Sequence, residues 1–199
     1  MIYVNLCVGS SADIELPGGN VRIQQTTRYP WDGNVEIEID PAQELEFELR
    51  IRVPGWSIPG EGPVPTALYG WGREQVREFR VENLADGGNL AEMNVDSVHE
   101  EGFVVVRRTW SPGDKLHLRL DMSVQRIAAH PNVEANAGKL AIQVGPLVFA
   151  AEAIDNGGTA HDLVLPTDAD LTTRFDSDLL GGMLVVEGSA LRNGTAVSF

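Results

Sequence analysis

Along several segments of this sequence every second residue is apolar, and the residues between them are charged or polar. The longest such segment covers residues 45–53, and shorter ones cover residues 35–39 and 116–122. Successive side chains of an extended strand point to opposite faces, so each segment predicts a strand with one apolar and one wet face. Strands of this kind are typical of antiparallel sheets that pack one face on a core. The predicted fold class is therefore all-β.

Turn sequences separate these segments. They combine proline, glycine, asparagine or aspartate at residues 17–20, 32–34, 111–114 and 193–194. Proline presets φ for the first turn position, and glycine adopts the positive φ that follows. Turn signals at this spacing predict an antiparallel β-sandwich of the jelly-roll-like kind. Residues 73–84 have weak helical character, and residues 58–67, which are rich in proline and glycine, predict a loop.

Two neighbouring segments depart from the alternation. Residues 140–144 and 147–151 are nearly continuous apolar runs, separated by Gly145 and Pro146. Strands that are apolar on both faces are usually covered on both faces, so this pair predicts an interior position.

A domain boundary is predicted where the regular alternation ends, near residues 125–133. We expect two packed sandwich units, a first β-sandwich at residues 1–126 and a smaller β domain at residues 127–199. Strand character after Asn156 returns only at residues 183–187, so the sequence leaves open whether the second domain is complete.

The charge of the chain restricts its partners. With 15 basic against 29 acidic residues, the formal net charge is −14. Such a surface repels phosphate backbones and anionic lipid, so neither nucleic acid nor a membrane is an expected partner. The start of the sequence has no basic segment followed by an apolar one, so no signal peptide is predicted and a cytoplasmic location is favoured.

Residue types that could carry chemistry are few and scattered. Glycoside hydrolysis needs two carboxylates about 5–10 Å apart, and Glu152 and Asp155 could meet that distance. Acidic residues at strand ends are, however, common turn formers, and the structural interpretation is favoured. The four histidines share no metal-ligand spacing, and Cys7 is the only cysteine. No catalytic residue and no metal ligand is therefore predicted in this chain.

Aromatic residues in turn sequences are the candidate contact residues. They are Tyr29, Trp31, Trp56 and Trp71, with Trp71 in an irregular segment. Their rings could stack on a sugar, dock against another domain or close the end of a sandwich, and the sequence leaves these alternatives open. Trp110 follows a strand and precedes a tight turn, so it is predicted to pack in the core.

A series of motifs resembles one known family. It comprises YVNL from Tyr3, YPWDG from Tyr29, LRIRVPGW from Leu49, RTWSPGD from Arg108 and GKLAIQVGPLVF from Gly138 with the EAIDN that begins at Glu152. In order and spacing these segments resemble the non-catalytic C-terminal half of glycoside hydrolase family 127, the β-L-arabinofuranosidase-like proteins. The resemblance covers most of residues 1–156.

The resemblance implies where the family's chemistry lies. It places catalysis on a preceding α/α barrel, where cysteines and a glutamate hold zinc and a cysteine acts as the nucleophile. Cys7 does not match the paired cysteines of that motif, so zinc is expected only in the catalytic domain. Glu152 and Asp155 belong to the structural signature that the resemblance covers.

Three functions follow, in order of preference. The first is an accessory module that packs on an α/α-barrel catalytic domain, or self-associates through the apolar face that such docking requires. The second is an independent carbohydrate-binding module that presents tryptophan or tyrosine to a glycan. The third is an autonomous glycosidase that uses Glu152 and Asp155. Whether the chain is an enzyme by itself is left open, although the family acts on glycosides.

Overall fold

The computed structural model describes residues 1–58, 67–71, 79–85, 89–92, 99–100 and 102–199. These residues form strands and loops, with short 3₁₀ helices at Gly55–Ser57 and Glu134–Asn136. The prediction of an all-β fold is confirmed. Within these ranges no helix is long and apolar enough to cross a membrane.

The strands are numbered in chain order, and they group into two compact units. They are β1 Ile2–Val4, β2 Ser10–Leu16, β3 Gly19–Thr27, β4 Asn34–Pro41, β5 Leu45–Arg52, β6 Tyr69–Trp71, β7 Phe79–Ala85, β8 Asn89–Glu92, β9 His99–Glu100, β10 Phe103–Trp110, β11 Asp114–Leu120, β12 Val124–Ala129, β13 Leu140–Val144, β14 Leu147–Phe149, β15 Leu171–Asp176, β16 Met183–Arg192 and β17 Thr195–Ser198. The first unit comprises Met1–Glu61 and Val76–Met122, and the second comprises Gly62–Gln75 and Ser123–Phe199.

Two sheets build the first unit. One has the strand order β1-β5-β10-β9, and the other has the order β2-β3-β4-β11-β7-β8. Strand β1 runs parallel to β5, and the other strand pairs of both sheets are antiparallel.

The alternating residues of the two sheets meet in a single core. Ile51 lies opposite Val104 in one sheet, and Leu116 lies opposite Ile37 in the other. All four side chains are buried in the same apolar cluster, together with Trp110. Burial of each aliphatic side chain stabilises the folded state by about 1.5–3 kcal/mol relative to leaving it exposed. Because the two sheets share this one apolar cluster, the unit is a β-sandwich.

The second unit has a smaller core. Its sheets have the orders β14-β13-β12-β6 and β15-β16-β17. Among its described residues the buried apolar side chains are Val144, Leu184 and Ala190. Arg126 is also buried, and it donates a hydrogen bond to the backbone carbonyl of Ala169, which links the segment before β15 to β12.

The interior position predicted for residues 140–144 and 147–151 is wrong for the chain by itself. Val144 is fully buried, but Leu140 is 42% exposed and Val148 is 69% exposed. Gln143 pairs with Val148 and Ile142 pairs with Phe149, so Leu140 and Val148 lie on opposite faces of the sheet, and neither face is fully covered by the described residues.

Some of the other local predictions are confirmed and some are wrong. The helical character predicted for residues 73–84 is wrong where the structure describes them, because Phe79–Ala85 is a strand paired with β11. Strand β15 was not predicted at all. The turn at residues 193–194 is confirmed, since Arg192 pairs with Thr195 across it and both Asn193 and Gly194 have positive φ. Most of the loop predicted at residues 58–67 lies outside the described residues.

Candidate functional site

The turn that carries Tyr29 and Trp31 is held by its own polar groups. The hydroxyl of Thr27 accepts a hydrogen bond from the amide of Tyr29 at 2.9 Å and donates one to the carbonyl of Asn34 at 2.6 Å. The amide of Trp31 donates to the carbonyl of Arg28 at 2.8 Å. These bonds fix where the two aromatic residues leave the sheet after β3.

Trp56 lies in the Gly55–Ser57 helix and contacts Tyr29. Its indole N–H donates to the Tyr29 hydroxyl at 3.4 Å, and both rings pack against the core of the first unit. Burial raises the pKa of Tyr29, while the hydrogen bond from Trp56 acts in the opposite direction. The indole N–H of Trp56 and the hydroxyl of Tyr29 are therefore hydrogen-bond partners, and both residues are half-buried.

The other two predicted contact residues are Trp31 and Trp71. Trp31 is half-buried in its turn. Trp71 belongs to the second unit, where it lies opposite Ile127 in the pairing of β6 with β12. The prediction that Trp71 sits in an irregular segment is therefore wrong. The structure brings together Tyr29 and Trp56, and the role of the four residues as contacts stays a prediction.

The described residues do not fit the zinc that the family resemblance implies elsewhere. Cys7 is half-buried against the core of the first unit, and burial raises the pKa of its thiol. A thiol held protonated is a poor ligand and a poor nucleophile. In the described part of the chain, no three His, Cys, Asp or Glu side chains come together to hold a metal ion.

Glu152 and Asp155 lie in a loop that follows β14, and both are exposed. The side-chain amide of Asn156 donates to the carbonyl of Glu152 at 2.8 Å. Arg192 of β16 donates to the carbonyls of Asn156 and Thr159 at 2.8 Å each. The loop is thus fastened to β16 through its backbone carbonyls.

Arg192 is itself fixed by Asp162, whose carboxylate lies 3.0 Å from its Nε. One guanidinium therefore connects a strand, two loop carbonyls and a carboxylate. Bonds of this kind position a loop, and none of them involves the carboxylate of Glu152 or Asp155.

Among the described residues, each unit carries a groove. The first-unit groove, of about 270 Å³, lies where Ile2, Leu6, Val8 and Ile14 approach each other. The second-unit groove, of about 400 Å³, is bordered by β13, β14, the loop at residues 160–165 and Phe199. Most of its lining residues are apolar, but Lys139 and His161 also line it, and Glu152 and Asp155 do not.

Sequence reasoning missed this second groove and the β15–β16 hairpin that accompanies it. The groove is assembled from residues far apart in the sequence, so periodicity could not reveal it. The hairpin did leave a signal, because its tip reads Leu179-Leu180-Gly181-Gly182, an apolar pair placed directly before a glycine turn.

Comparison with known proteins assigns the fold to a class. The model described as the beta-L-arabinofuranosidase GH127 middle domain matches residues 1–122, and the glycoside hydrolase family 127 C-terminal domain matches residues 124–187. The two units are thus β domains of the kind that accompany a glycoside hydrolase. The chain belongs to glycoside hydrolase family 127.

Individual relatives agree with that assignment. The non-reducing end β-L-arabinofuranosidase of Bifidobacterium longum subsp. longum is 34% identical over 178 residues, which cover 85% of this chain and 23% of the relative. A GH127 β-L-arabinofuranosidase from Geobacillus stearothermophilus T6 superposes with a TM-score of 0.77 at 34% identity, over 99% of this chain and 29% of the relative. A second GH127 β-arabinofuranosidase gives 0.80 at 28% identity, over 99% of this chain and 30% of the relative. The chain therefore spans less than a third of the length of each of these relatives.

Proposed function

We propose that this chain is the non-catalytic accessory region of a β-L-arabinofuranosidase-like enzyme of family 127, and that it packs on a separate α/α-barrel catalytic domain. The observation that carries the proposal is the end-to-end match of the family's middle and C-terminal domains over residues 1–187. In the relatives named as arabinofuranosidases, the part of the chain outside this region is more than twice as long as the part that matches it.

The chemistry of the described residues supports an accessory role. Glycoside hydrolysis needs two carboxylates on either side of the scissile bond, or an equivalent activated nucleophile. Glu152 and Asp155 lie in an exposed loop outside the groove of their unit, and burial disfavours the thiolate of Cys7. The residues present thus offer support rather than catalysis.

The outer face of the β1-β5-β10-β9 sheet is the proposed contact surface. Tyr3 lies opposite Arg50, and Phe103 lies opposite Arg52, so the four side chains share this face. Their rings and guanidinium groups form one cluster, with Tyr3 and Phe103 edge to face at 5.4 Å and Arg52 5.2 Å above the Phe103 ring. Tyrosine, phenylalanine and arginine are enriched where protein interfaces carry most of their energy.

Co-expression tests the proposal. The part of the Geobacillus enzyme outside the matched region is expressed with this chain, with its own matched region as the positive control and an unrelated β-sandwich as the negative control. We expect the two polypeptides to copurify and hydrolysis of an aryl β-L-arabinofuranoside to appear only with both. Copurification in the positive control but not with this chain would contradict the docking role, and hydrolysis by this chain alone would contradict the non-catalytic role.

Carbohydrate binding is the second candidate, because Tyr29 and Trp56 lie in contact at the edge of the first core and each keeps part of its surface exposed. A bound sugar would change the fluorescence of the tryptophans. Titration with arabino-oligosaccharides should then give a saturable change that is lost in Trp56→Ala and retained in Trp71→Ala. A flat titration removes this candidate.

A further inference from the structure

One wall of the second-unit groove is a face of the β14-β13-β12-β6 sheet. Ile142 lies opposite Phe149 in the pairing of β13 with β14, and Leu140 lies two residues before Ile142 on the same strand. Side chains two residues apart on a strand point to the same face, so Leu140, Ile142 and Phe149 form one apolar wall. Leu140 is 42% exposed, so this wall is open to solvent.

A second wall is the segment that precedes β15, and its backbone is fixed to β16. The amide of Val164 donates to the carbonyl of Leu191 at 2.9 Å, and the amide of Leu191 donates to the carbonyl of Val164 at 2.8 Å. Two residues earlier in the chain, Asp162 is held by its ion pair with Arg192. Val164 and its neighbour Leu163 line the groove. The fold itself holds both walls, so the groove is formed before any ligand binds.

The groove has the size and lining of a small-molecule site. Its volume of about 400 Å³ lies within the range of roughly 300–1,000 Å³ that is typical of ligand pockets. An apolar cavity of about 150 Å³ already binds benzene, so this groove can hold an aromatic ring with a short chain attached. A sugar would fit poorly, because its hydroxyl groups would exchange water for apolar side chains without new hydrogen bonds.

The polar side chains of the groove are hydrogen-bond donors. They belong to Lys139, in the turn before β13, and to His161, in the loop before β15. Among the described residues that line the groove none has an acidic side chain, although the sequence has 29 acidic against 15 basic residues. Lys139 is also one of only two lysines in the sequence. The polar side of the groove is thus suited to a negatively charged acceptor.

Hydrogen bonds within its own turn hold Lys139 in place. Its ammonium donates to the carbonyl of Ala135 at 2.9 Å, and its backbone amide donates to the carbonyl of Asn136 at 3.1 Å. An ammonium group has three donors, so two remain for a ligand. A lysine that is already positioned in this way loses less side-chain entropy when a ligand binds.

We propose that the second-unit groove binds a small amphiphilic carboxylate, whose aryl or branched aliphatic part packs on Leu140 and Phe149 and whose carboxylate accepts a hydrogen bond from Lys139. The site contains neither Tyr29 nor Trp56, and the inference does not rest on the proposed function. Charge complementarity selects this occupant, because a neutral apolar group would leave the lysine without a ligand partner. A ligand of about ten non-hydrogen atoms in such an open groove binds with a dissociation constant in the millimolar range.

Titration of the isotope-labelled chain with phenylacetate, followed by the NMR chemical shifts of its backbone amides, measures binding and locates it. Phenylacetamide is the neutral match, because it keeps the ring and the shape of the ligand and loses only the charge. We expect the amides of residues 139–142 and 160–165 to shift with a dissociation constant of about 1–5 mM for phenylacetate. Phenylacetamide should bind at least about threefold more weakly.

Variants of the two lysines separate a local contact from the charge of the whole chain. Lys139→Gln should weaken phenylacetate binding to the level of phenylacetamide and leave phenylacetamide binding unchanged. Lys115→Gln is the matched control, because it removes the other lysine, which pairs with Glu36 and Glu38 in the first unit. Val164→Glu, at a position that is 62% exposed, should weaken binding of both probes by placing an acidic group in the groove.

Three results would overturn the proposal. The first is that phenylacetate at about 20 mM leaves the amides that border the groove unshifted. The second is that phenylacetamide binds as tightly as phenylacetate, which would make the groove an apolar docking surface without charge selection. The third is that Lys115→Gln weakens phenylacetate binding as much as Lys139→Gln does.

Discussion

Trp110 donates its indole N–H to the backbone carbonyl of Phe47 at 3.1 Å, and its ring stacks on the Phe47 ring with the centroids 5.7 Å apart. Trp110 is fully buried and belongs to the strand that pairs with β5. One side chain thus joins two neighbouring strands by a polar and an apolar contact, as expected of a tryptophan that has a partner for its N–H.

Trp110→Phe should destabilise the first unit. The substitution removes the hydrogen bond and leaves part of the indole volume empty, and together these cost about 2–3 kcal/mol. Urea denaturation followed by circular dichroism measures the change. Tyr3→Phe is the control, since it keeps the ring of an exposed residue and should change the unfolding free energy by less than about 0.5 kcal/mol. Equal stability of the two variants would show that the Trp110 contact is not needed.

Gly33→Ala should be strongly destabilising. A Cβ at Gly33 would lie 2.0 Å from the carbonyl oxygen of Leu120, and that carbonyl belongs to a strand end that cannot easily move. Overpacking against a backbone atom costs about 1–3 kcal/mol or more. Gly9→Ala is the matched control, because nothing lies within 4 Å of its added Cβ. Thermal melting of both variants tests the contrast, which fails if they melt together.

Glu48 gives the chain a pH-dependent contribution to stability. Its carboxylate accepts hydrogen bonds from Arg107 and Arg50, and these lower the pKa of Glu48 in the folded protein. A carboxyl group whose pKa is lower in the folded state stabilises that state above the unfolded pKa of about 4.3 and loses this effect as the pH falls. Glu48→Gln should therefore be less stable than the native chain at pH 7.

The difference between Glu48→Gln and the native chain should shrink as the pH is lowered below about 4. Denaturation at neutral and acidic pH measures it. Glu46→Gln, at an exposed position of the same strand, should give curves that stay close to those of the native chain at both pH values. A Glu48→Gln deficit that is constant with pH would contradict the assignment to the ionised carboxylate.

Arg192→Lys should loosen the loop at residues 152–162. Lysine keeps the charge but cannot bind two carbonyls and the Asp162 carboxylate at once, because it lacks the planar fork of donors. Limited proteolysis should then cut near Gly157 and Gly158 several times faster. Arg174→Lys, which alters exposed ion pairs elsewhere in the unit, should leave this rate unchanged. Identical cleavage rates of the two variants would show that Arg192 does not hold this loop in place.

Features that depend on neighbouring residues could be predicted from the sequence. The alternation at Leu49, Ile51 and Leu116 predicted strands and core correctly, because the side-chain period of a strand is written directly in neighbouring residues. The turn at Asn193 and Gly194 was also predicted correctly, because its positive φ values favour these residue types.

Features made by distant residues were beyond the same reasoning. The apolar run at residues 140–144 suggested cover on both faces, but cover depends on what packs on the sheet, and Leu140 lies on the wall of a groove. Trp71 looked irregular because its strand is only three residues long and is defined by its pairing with β12. The polar contacts of Arg192 join segments more than thirty residues apart, which no local pattern records.

Strand β6 has a consequence for the order of folding during synthesis. Tyr69–Trp71 is made within the sequence of the first unit, yet it completes a sheet of the second, and its partner β12 begins about fifty residues later. On a ribosome that adds about 5–20 residues per second, this strand waits for several seconds without a partner. The second unit therefore cannot complete its β14-β13-β12-β6 sheet until the whole sequence of the first unit has been synthesised.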